Sequence, residues 1–187
     1  MVKKKTCIFI SGSGSNLKSI INNSRDVNFP IKVSLILCNN SRAFGIKYAK
    51  KFKIPFKIIT DEKSVFERKS LKFLRERNIK LICLAGFMKI LSKNFIRNFK
   101  GKIINIHPSL LPKYKGLNTH KRVLDSKEKF TGCTVHFVNE KLDNGKIIIK
   151  KRVEIKKNET EKLLKYRVQK EEHKAYPMAI RKIFNNN

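Results

Sequence analysis

Asn105 and His107 lie two residues apart at the end of the apolar run Ile103-Ile104. On an extended segment, residues two apart share a face. A carboxamide that donates and an imidazole that titrates near neutral pH therefore point the same way, the equipment for hydrogen-bond donation and proton transfer. Pro108 follows and cannot extend a strand ladder, so the pair stands where a strand ends and a loop begins. Chemistry in α/β proteins concentrates at such places. A carboxylate, Asp143, stands further on in Leu142-Asp143-Asn144-Gly145. Read by itself Asp143 is a turn residue, and Asn105 with His107 reads equally well as a structural pair.

Two other segments have chemical potential. Ser11-Gly12-Ser13-Gly14-Ser15-Asn16 separates a strand pattern from a helix pattern. Glycines let the backbone approach an anion, and the start of a helix favours phosphate. Leu17 stands where a dinucleotide fingerprint needs glycine, and no Gly-Lys-Ser/Thr follows as in a P-loop. A tight turn with a Ser or Asn cap explains the segment equally well. In Ala85-Gly86-Phe87-Met88-Lys89-Ile90-Leu91, one reading is a buried turn with Phe87 and Met88 in the core. The other is an apolar slot whose backbone groups bind a flat heterocycle.

The elements that must position these residues are legible from periodicity. Strands are predicted over 6–10, 31–38, 56–59, 81–85 and 103–105, and helices over 17–21, 43–52 and 62–77. The alternation predicts right-handed crossovers in a mainly parallel sheet covered on both faces. A helix over 120–126 follows. Strands over 134–138 and 146–155 flank Asn144-Gly145, a hairpin signal that predicts an antiparallel addition. A closing helix spans 159–184, and Pro177 is expected to kink or divide it.

The chain of 187 residues is 41% hydrophobic, enough for one domain with a real core. No apolar run approaches a membrane span or a signal-peptide core, which predicts a cytoplasmic protein. Cys7, Cys38, Cys83 and Cys133 sit in strand-like runs without metal-site spacing, and read as buried reduced thiols. Lys and Arg total 44 against 14 acidic residues, a net charge of +30. The lysines are spread along the whole chain and accompany many Asn and Ile, a compositional drift that needs no nucleic-acid partner. A positive field would also attract small anionic substrates.

Read together, the motifs resemble the phosphoribosylglycinamide formyltransferase family. The resemblance is carried in order by residues 10–17 and 84–88, by Asn105 through Pro112, and by Lys113-Tyr114-Lys115-Gly116. It continues in Gly132-Cys133-Thr134-Val135-His136-Phe137-Val138, Leu142-Asp143-Asn144-Gly145, Arg167-Val168-Gln169, Glu172-His173 and Tyr176-Pro177. It covers nearly the whole chain in one register.

The resemblance implies a Rossmann-like α/β formyltransferase fold in one domain over 1–187. It implies an enzyme of purine biosynthesis and one-carbon metabolism, transferring the formyl group of 10-formyltetrahydrofolate to the amino group of glycinamide ribonucleotide without a metal. By similarity, Asn105, His107 and Asp143 are catalytic. Gly12, Ser13, Gly14, Ser15 and Glu172 bind the ribonucleotide. Lys63, Met88, Lys89, Ile90, Leu91 and Asn105 bind the folate, with Lys63 and Lys89 standing where relatives carry Arg. His136 matches a histidine close to the site and is expected to shape it; His120 and His173 are expected to be structural or to support the site from behind. The expected partners are the two small molecules, with no specific nucleic acid and no membrane, in a monomer or homodimer. Relatives continue past the closing helix with a further strand-like segment where this chain stops at Asn187, and none of the named groups would lie there. The alternatives are a methionyl-tRNA formyltransferase-like or formyltetrahydrofolate hydrolase-like enzyme, or a basic nucleic-acid-binding protein.

Overall fold

Runs rich in Ile, Leu, Val and Phe form the strands of the first half of the chain. A computed structural model describes residues 2–184. In chain order the elements are β1 (Lys4–Ile10), α1 (Ser15–Ser24), β2 (Ile31–Cys38), α2 (Ile46–Lys51), β3 (Phe56–Ile58), α3 (Lys63–Glu76), β4 (Leu81–Leu84), α4 (Lys93–Asn98), β5 (Lys102–His107), α5 (Thr119–Asp125), β6 (Phe130–Phe137), β7 (Ile147–Glu154) and α6 (Glu161–Phe184). The strands form one mostly parallel sheet in the order β3-β2-β1-β4-β5-β6-β7. The chain divides into two units, Met1–Ile104 and Asn105–Asn187, and β5 runs through the division.

In the first unit β1 pairs in parallel with β2 and β4, and β2 with β3. Cys7 through Ile10, Leu35 through Cys38 and Leu81 through Leu84 are consecutively buried, as parallel strands covered on both faces require. Phe9 gathers Phe66, Phe87 and Phe95 edge-on, with ring centroids 5.3–6.1 Å away. α4 has no counterpart in the expected elements. At six residues it is too short for periodicity, and its cap defines it: Ser92 Oγ accepts from Phe95 N at 3.0 Å. The buried Glu67 carboxylate in turn accepts from Ser92 N and Oγ.

In the second unit β6 and β7 are antiparallel, as the Asn-Gly signal predicts. Their register slips between Val135 and His136, where Val135 faces Ile149 and His136 faces Ile147. Ile148 is thus the extra residue of a bulge, and bulges re-aim neighbouring side chains. The Ile148 carbonyl accepts from Lys182 Nζ of α6 at 3.1 Å, which satisfies a group near the sheet edge. Leu164, Val168, Ala175, Tyr176, Ala179 and Ile180 of α6 are fully buried.

Two expectations are corrected here. Pro177 does not divide the closing helix: α6 runs through it as one 24-residue element. Pro177 is buried between the fully buried Tyr176 and Ala179, and this packing outweighs the lost backbone hydrogen bond. The fifth strand does not stop at Asn105 but continues to His107, so both polar residues belong to it. Of the expected domain range, Met1 and residues 185–187 lie outside the described residues.

Candidate active site

β5 carries Asn105 and His107 on one face, and the polar groups of the second unit gather around them. His107 Nδ1 lies 3.3 Å from Asp143 Oδ2, with both side chains 7% exposed. His107 Nε2 lies 2.8 Å from the Tyr114 carbonyl oxygen. Both ring nitrogens thus face oxygen atoms, which fixes the orientation of the ring.

Asp143 is held by its backbone as much as by its partners. It stands at φ 46°, in the left-handed region that Asp tolerates better than most residues. Its Oδ2 also accepts from Gly116 N at 2.9 Å. Lys115 Nζ donates to Asn144 Oδ1 at 2.7 Å, so the 113–118 loop and the β6–β7 turn are tied together. Gly145 completes the turn: a Cβ there would collide with the Phe137 carbonyl. The segment after His107 is pinned to β6. Thr134 Oγ1 donates to Ser109 O at 2.7 Å and accepts from Leu111 N at 3.1 Å.

His136 stands between the members of this cluster. Its Nε2 is 3.4 Å from Asn105 Nδ2 and 3.8 Å from Asp143 Oδ1. Its Nδ1 is 2.8 Å from the Phe137 carbonyl. Burial disfavours its charged form and pushes its pKa below the ordinary histidine value, against the pull of the Phe137 hydrogen bond and of Asp143. His120, on α5, is pushed down by burial too, with Lys165 adding to the effect.

Glu172 projects from α6 with Glu171 near Cys133 of β6. That thiol is pushed up to about 12 by burial first and then by these two carboxylates.

The first unit holds the other two motifs. Gly14 is the N-cap of α1 in the left-handed conformation, with φ 72°. A Cβ there would meet Gly45 Cα at 2.5 Å, so glycine is required both by φ and by the close approach. The Ser or Asn cap is not formed at the N-cap position, which Gly14 occupies without a side-chain cap. Ser11, legible in the sequence only as part of the turn, organises both segments. Its Oγ donates to Asn39 Oδ1 at 2.6 Å and accepts from Met88 N at 2.8 Å. Its carbonyl accepts from Asn40 Nδ2 at 3.0 Å. The glycine turn and the 86–91 segment are thus held together through Ser11, whose backbone N also donates to Gly86 O at 3.2 Å.

Phe87 stacks on Phe66 with centroids 5.4 Å apart, as the core reading expects, but Met88 does not join it. Met88 is 71% and Ile90 62% exposed, whereas Leu91 is buried. Lys89 Nζ donates to the Asp61 carbonyl at 3.0 Å and lies over the Phe66 ring. Lys63 opens α3 and lines a groove with Arg68, Arg75, Asn94 and Asn98. Among the described residues no group of three or more His, Cys, Asp or Glu is arranged to hold a metal ion. No helix there is long and apolar enough to cross a membrane.

The comparisons with known proteins agree with one another. Residues 4–180 match the formyl transferase family. The chain is 38% identical to the phosphoribosylglycinamide formyltransferase of Haemophilus influenzae, over 95% of this chain and 86% of that protein. It is 41% identical to the chicken trifunctional purine biosynthetic protein adenosine-3. That match covers 95% of this chain but 18% of the longer protein. The solved phosphoribosylglycinamide formyltransferase of Coxiella burnetii superposes with a TM-score of 0.89 at 39% identity, over 96% of this chain and 86% of that one. These relatives do not favour the tRNA-formylating, hydrolase or nucleic-acid-binding alternatives. The chain belongs to the formyl transferase family and, within it, to the phosphoribosylglycinamide formyltransferases.

Proposed function

We propose that this chain transfers the formyl group of 10-formyltetrahydrofolate to the amino group of glycinamide ribonucleotide, with Asn105, His107 and Asp143 as the catalytic groups. The observation that carries this reading is the buried His107–Asp143 pair at 3.3 Å, with His107 on the strand that also presents the Asn105 carboxamide. The amine attacks the formyl carbon and forms a C–N bond, and the carbonyl oxygen takes up negative charge. Asn105 donates its amide hydrogen to that oxygen, a contribution of about 3–4 kcal/mol for one such donor. His107, oriented by Asp143, stabilises the same charge. Collapse breaks the bond between the formyl carbon and the folate nitrogen. The attacking amine loses one proton and the departing nitrogen gains one. Asp143 Oδ1 accepts no hydrogen bond from any described residue and is the oxygen through which a proton is relayed.

The remaining assignments belong to the same proposal. Residues 12–15 at the start of α1 hold the substrate phosphate, where helix N–H groups favour an anion, and Glu172 contacts the ribonucleotide. The exposed Met88 and Ile90, with Lys89, Leu91, Lys63 and Asn105, bind the folate. Residues 1–187 act as one formyltransferase domain, a reading supported by a family match that runs through both units. The protein works in the cytoplasm on these two small molecules, as a monomer or homodimer, without a nucleic-acid partner. The test is a formyl-transfer assay in which glycinamide ribonucleotide, methionyl-tRNA and water compete as acceptors. Formyl-glycinamide ribonucleotide is the expected product; transfer to methionyl-tRNA or release of free formate would contradict the assignment.

A further inference from the structure

A carboxamide turned over by half a rotation exchanges its oxygen and its NH2 at almost no steric cost. Only a directional neighbour decides which end points where. Among the described residues, His136 is the one hydrogen-bonding partner of the Asn105 side chain, with Nε2 3.4 Å from Asn105 Nδ2. The proton content of His136 therefore decides the orientation of the amide.

That proton content follows from the other nitrogen. His136 Nδ1 lies 2.8 Å from the Phe137 carbonyl oxygen, and a carbonyl only accepts, so Nδ1 carries a hydrogen. A second ring proton is opposed by burial, the ring being 2% exposed. Asp143 Oδ1, at 3.8 Å, is beyond hydrogen-bond distance and does not hold a proton on Nε2. Nε2 is thus a bare lone pair, which attracts the amide NH2 of Asn105 and repels its oxygen. One amide hydrogen is taken by His136; the other remains to donate.

We propose that His136 is a positioning residue: as a fixed acceptor it holds the Asn105 carboxamide with its NH2 toward the reaction and its oxygen turned away. This rests on the reading of Asn105 as donor to the formyl oxygen. His136 does not touch the reacting atoms. It acts by removing the flipped amide state, in which Oδ1 would face a developing oxyanion and repel it.

Two measurements test this. In the wild-type protein, nitrogen-15 NMR of the histidine rings should show His136 as the neutral tautomer protonated at Nδ1; a ring protonated at Nε2 would overturn the proposal. In kinetics, His136→Phe should lower kcat on the order of tenfold, the weight of one orienting hydrogen bond, with KM for both substrates within about twofold. His136→Gln, which can place an acceptor oxygen near the Nε2 position, should recover most of the loss. In an Asn105→Ala background, His136→Phe should have no further effect, because its target is gone. An equal loss in both backgrounds would mean a merely structural role, and full activity of His136→Phe would also overturn the proposal. Should His136→Phe fail to fold, the wild-type tautomer and the Gln variant still decide. Near-normal turnover of Asn105→Ala would instead sink the donor role itself. That outcome is distinct from failed positioning, which leaves Asn105→Ala slow and His136→Phe fast.

Discussion

At the scale of residues, the site turns on which hydrogens are committed. His107 has both nitrogens against oxygens, one carboxylate and one carbonyl, so its orientation depends on Asp143. Asp143→Asn keeps the shape and can still accept from Gly116 N, but it removes the counter-charge. We expect kcat to fall tenfold or more, as loss of a buried ionic partner implies, and the pH–rate profile to change shape. An unchanged profile with normal kcat would reduce Asp143 to a turn residue. The opening pair and this carboxylate were readable in the sequence because the spacing in Asn105-Ile106-His107 and the run 142–145 are local patterns. Ser11 was not readable as an organiser, since its partners Asn39, Asn40 and Met88 lie 28, 29 and 77 residues away. The hydrogen bond from His136 to the Phe137 carbonyl also escapes sequence reasoning, since it needs the bulged geometry of β6 and β7.

Among the elements, the β6–β7 hairpin carries the most functional consequence. Asp143 stands in its turn, His136 on its first strand, and Gly145 makes room for the Phe137 carbonyl that bonds His136. Gly145→Ala should push that peptide away and disturb both side chains at once. We expect a loss of about 1–3 kcal/mol in urea unfolding, typical of overpacking, together with a fall in kcat larger than a remote destabilisation would give. Wild-type stability and turnover would show that the turn relaxes freely and does not hold the site. β1, β2 and β4 were legible from apolar runs, because burial on both faces leaves little room for polar residues, whereas the half-exposed β7 was legible with the help of the Asn144-Gly145 signal. α4 was not, being six residues long and defined by the Ser92 cap. Pro177 misled because the local rule against proline in helices was overruled by the packing of α6.

For the whole molecule, the buried histidines link stability to pH. His120 and His136 are both held below the ordinary value of 6.5 by burial. Below about pH 6.5 the unfolded chain takes up protons that the folded chain refuses. Their contribution is therefore complete above that pH and is lost as the pH falls through and below it. Each histidine can add a slope of up to about 1.4 kcal/mol per pH unit in that window. Carboxylates held low by partners, such as Glu128 bonded to Lys113, act only below their ordinary 4.5, so the two windows separate. Unfolding free energies measured from pH 7.5 to 5 should decline, and His120→Gln should flatten the decline. A flat wild-type curve would contradict the burial argument. The net charge of +30 enters here as self-repulsion and as attraction for anionic substrates, and its spread along the chain explains why the site could be read without it. The central claim is catalytic, and turnover of Asn105→Ala with glycinamide ribonucleotide and 10-formyltetrahydrofolate tests it most directly. The account predicts a kcat at least about 100-fold lower, with binding of both substrates largely intact. A near-normal kcat would contradict it.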